Sequence, residues 1–142
     1  MNRIEYSLSG SNPIEYTEAF NIEKEGYSVV DFTGFDNVDN TSTNSFTIKV
    51  DNTGPVISHT FGTSCLRKKE GLEVYPAHVV LFVVATDNVV GFKRMTYALN
   101  DGVAKEYTGM IKDLPKGNNR MVIKAYDNLG NSRESEIQFI IE

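Results

Sequence analysis

The chain has 142 residues, 40% of them hydrophobic and 23% charged, and its net charge is −5. This balance is that of an ordinary globular protein with one domain or two small ones. The negative charge is spread over both halves, which disfavours nucleic acid or an anionic membrane as a main partner, because either would require clustered Lys and Arg. The longest apolar run, 79–85, is about a third of the roughly 20 residues that a membrane helix needs, so no membrane insertion is expected.

The start of the chain and its cysteine content bear on the compartment. The first residues, MNRIEYSLSG, lack the basic start and the apolar run of about 7 to 15 residues that mark a secretory signal. We expect a larger precursor to carry such a signal upstream. Cys65 is the single cysteine, so an internal disulfide is excluded, and no histidine stands in a recognisable relation to it. We expect a free structural thiol rather than a nucleophile.

The chain contains an internal repeat. Residues 4–51 align with residues 95–142 without an insertion, a shift of 91 positions. Nine identities fall in the 48 aligned positions, and they concentrate at turns and at alternating apolar places. They include Tyr6 with Tyr97, Leu8 with Leu99, Gly26 with Gly117, Asp36-Asn37 with Asp127-Asn128, and Asn40 with Asn131. A gap-free register of this kind predicts that one fold occurs twice.

Each copy has the pattern of antiparallel strands. Residues 4–8 and 95–99 alternate between apolar and polar side chains, and each segment is followed by a polar turn that contains Gly. A short segment around a tyrosine comes next. A long hairpin then follows, at 30–50 and at 121–141, and its two strands are separated by a tight turn. No segment shows helical periodicity over 10 or more residues, so the predicted fold class is all-β.

A cluster of turn-forming residues separates the two copies. The sequence DNTGP at 51–55 ends in a proline, which fixes the backbone and lacks an N–H, and this suits a short hinge. We therefore predict three segments. A partial immunoglobulin-like module with only the later strands lies at 1–50, a linker at 51–55, and a complete module at 56–142.

The second module begins with segments that have no counterpart in the first. A strand is predicted at 56–61 and a polar loop through 67–71. At 79–87 we predict a strand rich in β-branched residues that is either buried on both faces or placed at a contact between units. With about seven strands in 87 residues, this module has the pattern of an immunoglobulin-like β-sandwich without the inter-sheet cystine. The fold class is thus tandem sandwich modules, the first incomplete at its N-terminal side. We expect the first module to expose an apolar edge or face and to belong to a longer array.

The order of these motifs resembles the bacterial Ig-like repeats of large surface and secreted proteins. The resemblance rests on IEYSL and MTYAL before the first turn, EYT after it, the Gly before the long strand, DNVDN and DNLGN in the hairpin turn, and VDNTGP at the junction. The family includes a spirochaete outer-membrane adhesin for extracellular matrix, and its turn is usually D-x-A-G-N. The chain departs from the family pattern in two ways. Asp39 replaces the turn Gly in the first copy, and the chain has no Trp. The resemblance implies an extracytoplasmic protein of many repeats whose modules act as spacers or adhesive units, without enzyme activity.

The two hairpin turns are the candidate sites. They contain Asp36, Asn37 and Asn40 in the first copy and Asp127, Asn128, Gly130 and Asn131 in the second. We interpret them as structural turns, in which Asp accepts hydrogen bonds from turn N–H groups while Asn and Gly take the positive φ that the turn requires. With Asp87-Asn88, their oxygens could also bind calcium, which takes about six to eight oxygen ligands. The D-x-D-x-D-G order of a calcium loop is missing, so the turn interpretation is preferred and no cofactor is predicted.

Other residue types yield no catalytic site. The three residues that could hold zinc lack the spacing of a zinc site and are expected at the surface or at strand edges: His59, Cys65 and His78. The basic run Arg67-Lys68-Lys69 is followed by Glu70, which favours a solvated loop over a phosphate or glycan anchor. Tyr16 and Tyr107 could stack on a sugar ring, but packing under the hairpin with a wet hydroxyl is the preferred interpretation. No G-x-S-x-G elbow accompanies the serines.

The residues give no catalytic site, and the resemblance implies a non-catalytic module pair of a bacterial surface or secreted protein, acting in adhesion or as a spacer. Its expected partners are neighbouring repeats of the same protein, with a host matrix protein or a glycan as further candidates. The alternative is an accessory carbohydrate-binding module of a secreted glycan-degrading enzyme. A solvent-exposed row of two or three aromatic rings on one flat face would favour that alternative, and a cleft with paired carboxylates would favour an enzyme.

Overall fold

A computed structural model describes residues 3–142, in which the chain forms two compact units, unit 1 at Met1–Asn52 and unit 2 at Thr53–Glu142. The regular structure among the described residues is β-strand throughout, so the predicted all-β class is confirmed. No helix in this part of the chain is long and apolar enough to cross a membrane.

Unit 1 is one antiparallel sheet of four strands. These are β1 (Arg3–Leu8), β2 (Ile14–Glu15), β3 (Gly26–Phe35) and β4 (Thr41–Val50), in the order β2-β1-β3-β4 across the sheet. Leu8 lies opposite Val30, and Val30 lies opposite Phe46, so these three apolar side chains share one face. Within residues 3–52 there is no second sheet, and Phe46 is 47% exposed. The described residues of unit 1 therefore form a single layer, with one apolar face that is partly exposed.

Unit 2 is a sandwich of two sheets. Its strands are β5 (Val56–Phe61), β6 (Arg67–Lys69), β7 (Leu72–Tyr75), β8 (Leu81–Thr86), β9 (Phe92–Leu99), β10 (Lys105–Glu106), β11 (Met110–Ile111), β12 (Gly117–Asp127) and β13 (Ser132–Ile141). The larger sheet has the order β10-β9-β12-β13-β7-β6, and the smaller sheet has the order β11-β8-β5. The predicted immunoglobulin-like sandwich is therefore confirmed.

The core of unit 2 lies between its two sheets. Alternate residues of β12, namely Met121, Ile123 and Ala125, are 0% exposed, because successive side chains of a strand point to opposite faces. They belong to one apolar cluster with Leu81 and Val83 of the smaller sheet. Inward-facing residues from both sheets thus pack together, as in other β-sandwiches.

The sequence repeat is reproduced in the strand pairing. Strands β2, β3 and β4 begin 91 residues before their counterparts β10, β12 and β13. The cross-strand partners follow the same shift, since Leu8 lies opposite Val30 and Leu99 lies opposite Met121. The two copies therefore share their register as well as their strand order.

The apolar strand predicted at 79–87 is shorter than expected and is buried on one face only. Strand β8 buries Leu81 and Val83, which are 0% and 4% exposed, whereas Phe82 and Val84 are 43% and 55% exposed. The prediction of burial on both faces was wrong because β8 is the middle strand of the smaller sheet, which packs on the core with one face. An apolar run does not specify what covers each face.

The basic run predicted as a solvated loop is also a strand. Arg67–Lys69 forms β6, which pairs with β7 through a two-residue turn at Glu70 and Gly71, where φ is 53° and 85°. Two successive positive φ values are typical of the type I′ turn of hairpins. The three side chains are exposed, as predicted, and Arg67 Nη1 forms an ion pair with Glu142 Oε2 at 2.7 Å.

The segment 51–55 connects β4 to β5, and its last two residues are built into unit 2. Pro55 is fully buried. A Cβ placed on Gly54 would lie 2.3 Å from the carbonyl carbon of Ser132 and 2.6 Å from the backbone nitrogen of Arg133. The Gly54 backbone therefore packs against the start of β13 at a distance that leaves no room for a side chain.

Candidate functional site

Asp36 organises the hairpin turn of unit 1, between β3 and β4. Its Oδ1 accepts hydrogen bonds from the backbone N–H groups of Val38 and Asn40, both at 2.9 Å, and its Oδ2 accepts one from Asn40 Nδ2 at 2.8 Å. The hydrogen bond from the Asn40 side chain is the main cause that lowers the pKa of Asp36 below its ordinary value. Asn37 is exposed, and Asp39 adopts φ 62°, a conformation that Asp tolerates better than most residues.

Asp127 repeats this arrangement in the turn of unit 2. Its Oδ1 accepts hydrogen bonds from the N–H groups of Leu129 at 2.9 Å and Asn131 at 2.8 Å, and its Oδ2 accepts one from Asn131 Nδ2 at 2.7 Å. Gly130 has φ 94° at the position of Asp39. Unlike Asp36, the Asp127 side chain is 0% exposed. A buried carboxylate with this many donors fixes the turn conformation.

A second loop of unit 2 is bound to this turn. Asp87 Oδ1 accepts hydrogen bonds from three backbone N–H groups, those of Val89, Val90 and Gly91, at 3.0, 2.9 and 2.9 Å. Asn128 Nδ2 donates to the carbonyl oxygens of Val90 at 2.9 Å and Gly91 at 3.2 Å. The loop after β8 and the turn after β12 therefore stabilise each other. The sequence did not predict this bridge, because it joins residues 38 positions apart.

A carboxylate oxygen of Asp87 lies within 4.8 Å of a carboxylate oxygen of Asp127. Both oxygens of Asp127 accept hydrogen bonds, whereas Asp87 Oδ2 accepts none from the residues that the structure describes. The turn interpretation predicts the same melting temperature in calcium and in chelator. A rise of several degrees in calcium would assign the pair to an ion.

The pKa of Asp127 predicts how the stability of unit 2 depends on pH. Burial raises the pKa of this carboxyl, but the hydrogen bonds from Asn131 and the turn backbone outweigh burial and lower the pKa below its ordinary value of 3.8. A carboxyl with a lowered pKa in the folded state stabilises the fold above its unfolded pKa, and this contribution is lost as the pH falls through the folded pKa. We expect Asp127→Asn to lower the melting temperature by several degrees at pH 7, because the Asn131 Nδ2 donor loses its acceptor.

The difference between Asp127→Asn and the unchanged chain should shrink as the pH falls from 4 to about 2, because protonation then removes the same charge from the unchanged chain. Thermal unfolding followed by circular dichroism at several pH values measures this difference. Asp36→Asn, the equivalent change in unit 1, is the matched control and should leave hydrogen exchange in β12 and β13 unchanged. Parallel pH profiles for Asp127→Asn and the unchanged chain would contradict the prediction.

Tyr16 and Tyr107 occupy equivalent positions with different surroundings. Tyr107 packs against the core of unit 2, and its hydroxyl accepts a hydrogen bond from the N–H of Val83 in β8 at 2.9 Å. Tyr16 is 45% exposed and contacts Tyr6 and Phe20 edge-on, with ring centroids 6.4 Å apart in both pairs. The predicted packing is confirmed for Tyr107, but the hydroxyl that was predicted to be solvated is bonded to the backbone of β8. The predicted packing was wrong for Tyr16, because unit 1 has no described counterpart of β8.

Phe20 is a residue that the sequence reasoning missed. Its ring stacks on Tyr6 with the centroids 4.2 Å apart and the planes 10° from parallel, and it is 38% exposed. The repeat alignment places Phe20 on Ile111, which is 5% exposed in the core of unit 2. Tyr6, Tyr16 and Phe20, the unit 1 aromatic cluster, therefore lie where unit 2 has one buried and two partly buried residues that pack in or against its core. The repeat alignment was the sequence signal that could have identified Phe20 as a member of this cluster.

The hydroxyl of Tyr107 is expected to contribute to the stability of unit 2. Tyr107→Phe leaves the Val83 N–H without its acceptor, and an unsatisfied buried donor costs about 1–3 kcal/mol. Urea unfolding followed by circular dichroism measures the loss. Tyr16→Phe is the matched control, and it should leave the unfolding curve unchanged because no described residue binds the Tyr16 hydroxyl. Equal effects of the two changes would refute this role of Tyr107.

The remaining sequence candidates form no site. His59 and His78 are exposed, as predicted, and Cys65 is a free thiol that is half-buried against the core of unit 2. Among the described residues, these three do not come together as a cluster of metal ligands.

Comparison with known proteins finds similarity to solved structures. A solved structure described as "Structures of Clostridium thermocellum CbhA fibronectin(III)-like modules" is similar over 99% of this chain and 77% of that chain, with 12% sequence identity and a TM-score of 0.44. No family model and no curated protein matches the chain.

Proposed function

We propose that the chain is a non-catalytic structural part of a bacterial surface or secreted protein with several repeats, and that it acts as a spacer for a neighbouring domain. The observation that carries the proposal is the repeat, in which two β units share one register and are joined by the five residues 51–55. Gly54 and Pro55 are packed into unit 2, so the connection outside the two units is short. Similar modules joined in series by short connections suit a structural role.

The spacer role can be tested by pulling the full chain from its two ends. Unit 2 buries its core between two sheets, so we expect it to unfold in one discrete event. About 90 residues at 3.3–3.6 Å each would then add roughly 300 Å of contour length. Met121→Asp places a charge in the core and is the control variant that should remove this event. Smooth extension of the unchanged chain at low force would contradict the spacer role.

Carbohydrate binding is the second candidate, and the unit 1 aromatic cluster favours it. Tyr16 and Phe20 are 45% and 38% exposed on one side of the sheet, and aromatic rings of this kind stack on sugar rings. Depletion of the chain by insoluble cellulose, xylan and chitin tests this candidate. Saturable depletion that Tyr16→Ala removes would support it. Tyr27→Ala is the control, since Tyr27 is 67% exposed but lies in β3, outside the cluster.

An adhesive role is also tested by measuring binding to immobilised material. Fibronectin, laminin and collagen are immobilised, and saturable binding of the full chain to one of them would replace the spacer role with adhesion. Binding to none of them, together with discrete unfolding of unit 2 under force, is the result that the spacer role predicts.

A further inference from the structure

Unit 1 presents an apolar face, formed by alternate residues of three neighbouring strands: Ile4, Tyr6, Leu8, Val30, Phe32, Phe46, Ile48 and Val50. Cross-strand neighbours of an antiparallel sheet lie on one side, which brings these residues together. Phe46 is 47% exposed at one end of this face, and the unit 1 aromatic cluster adjoins the other end through Tyr6. Val30, in the middle strand, is 4% exposed, whereas the other members of the face are partly buried or exposed. The face is therefore incompletely covered, and exposed apolar surface marks an interaction site in a soluble protein.

Unit 2 shows what the equivalent face packs against. The counterparts of Val30 and Phe46 are Met121 and Ile137, which are 0% and 9% exposed. They belong to the core cluster with Leu81 and other residues of the smaller sheet. In unit 1 the contrast lies at Phe46, which is 47% exposed, whereas Val30 is 4% exposed. The β5-β8-β11 sheet therefore covers in unit 2 a face that unit 1 leaves only partly covered.

The edge of the unit 1 sheet has a partner in unit 2 as well. Strand β4 is the edge strand of its sheet, whereas its counterpart β13 pairs on that side with β7. This pairing is parallel and joins Phe139 to Glu73 and Ile141 to Tyr75. The counterparts of Phe139 and Ile141 are Ile48 and Val50 in β4. An open edge strand offers backbone N–H and C=O groups for pairing with another strand.

The hydroxyl of Tyr16 lacks the partner that Tyr107 has. Tyr107 receives a hydrogen bond from Val83 of β8, the middle strand of the covering sheet. Among the described residues, none bonds to the Tyr16 hydroxyl. Unit 1 therefore lacks three contacts: a cover for its apolar face, a partner strand for β4, and a donor for the Tyr16 hydroxyl. In unit 2 one segment, 53–93, supplies all three.

We propose that the apolar face of unit 1 binds a β-sheet half-module, a polypeptide segment of a neighbouring repeat with strands equivalent to β5, β7 and β8. Its β8 equivalent covers the face with alternating apolar side chains and donates a backbone N–H to Tyr16. Its β7 equivalent pairs in parallel with β4 along Ile48 and Val50. This is recognition by strand addition, in which backbone hydrogen bonds provide affinity and alternate side chains provide specificity.

Two other occupants fit the surface less well. A glycan would stack on Tyr16 and Phe20 but would neither pair with β4 nor fill the positions of Val30 and Ile48. A second copy packed face to face would cover the apolar side chains but would leave both β4 edges open and both Tyr16 hydroxyls unbound. The half-module supplies all three contacts. The proposal rests on the multi-repeat part of the proposed function, and its failure would not alter the unfolding of unit 2 under force.

The test is an extended chain in which a second copy of residues 53–93 is joined directly ahead of Arg3, the counterpart of Arg94. We expect amide hydrogen exchange in β3 and β4 to slow by at least about tenfold relative to the unextended chain. Tyr16→Phe should destabilise the extended chain while leaving the unextended chain unchanged. The control extension carries Leu81→Asp and Val83→Asp in the added copy, so that it has the same length but cannot cover the face.

The outcomes separate the three occupants. Equal exchange in the extended chain and the control extension, together with no protection by a synthetic peptide of residues 53–93 added in trans, would overturn the proposal. A dimer of the unextended chain in sedimentation that Phe46→Lys converts to a monomer would assign the face to a second copy instead. Saturable retention on cellulose or xylan that Tyr16→Ala removes would assign it to a glycan. Protection by the peptide in trans would support the proposal even if the extended chain failed to fold.

Discussion

Phe139→Ala is expected to lower the free energy of unfolding of unit 2 by about 3–5 kcal/mol, the usual cost of truncating a buried Phe. Phe139 is 1% exposed, and its ring meets Phe61 edge-on with the centroids 5.1 Å apart. Phe61 in turn stacks on Tyr75 at 3.9 Å, so the truncation leaves a cavity beneath two further rings. A domain of about 90 residues has only about 5–13 kcal/mol of stability, so the change removes a large part of it.

Phe46→Ala in unit 1 is the matched control. Phe46 is 47% exposed, and we expect its truncation to cost less than about 1 kcal/mol. Urea unfolding of the full chain, with hydrogen exchange to separate the two units, measures both changes. A small effect of Phe139→Ala would mean that the two sheets of unit 2 do not enclose one core.

Gly54→Ala is expected to have the second large effect, a loss of about 3 kcal/mol or more. The added Cβ would lie 2.3 Å from the carbonyl carbon of Ser132, and because the neighbour is backbone, either the 53–55 segment or the start of β13 must move. The shift would also disturb Pro55, which is fully buried. Thermal unfolding of unit 2 measures the loss.

Gly34→Ala is the control for Gly54→Ala. A Cβ on Gly34 would have no neighbour closer than the Ser42 carbonyl oxygen at 4.0 Å. The change should therefore be neutral or stabilise unit 1 by up to about 1 kcal/mol, since Ala reduces the entropy of the unfolded chain. A stable Gly54→Ala variant would show that the joint is looser than its backbone contacts indicate.

Local patterns predicted most of the strands, because hairpins join neighbouring segments. The turns at Asp36 and Asp127 follow from residues that hydrogen-bond within five positions of the chain. The gap-free repeat then predicted that one register occurs twice. These features depend on sequence neighbours, and the sequence specifies them directly.

The features that were missed depend on distant contacts. The parallel pairing of β13 with β7 joins residues far apart in the chain, and no local signal identifies such a partner. The burial of β8 on one face and the exposure of Tyr16 depend on which layer covers a sheet. Periodicity shows that a face is apolar but does not show what packs on it. The bridge from Asn128 to Val90 in the candidate site was missed for the same reason.

The residue-for-residue equivalence of the two copies has a consequence for how such genes change. Because every strand of unit 1 has its partner 91 positions further on, a crossover between the copies at any point from residue 4 to residue 51 joins strands that already fit. Such an exchange adds or removes one whole module and creates no new loop. Unequal recombination can therefore lengthen the protein in steps of 91 residues, and each added step contains all the strands of one sandwich.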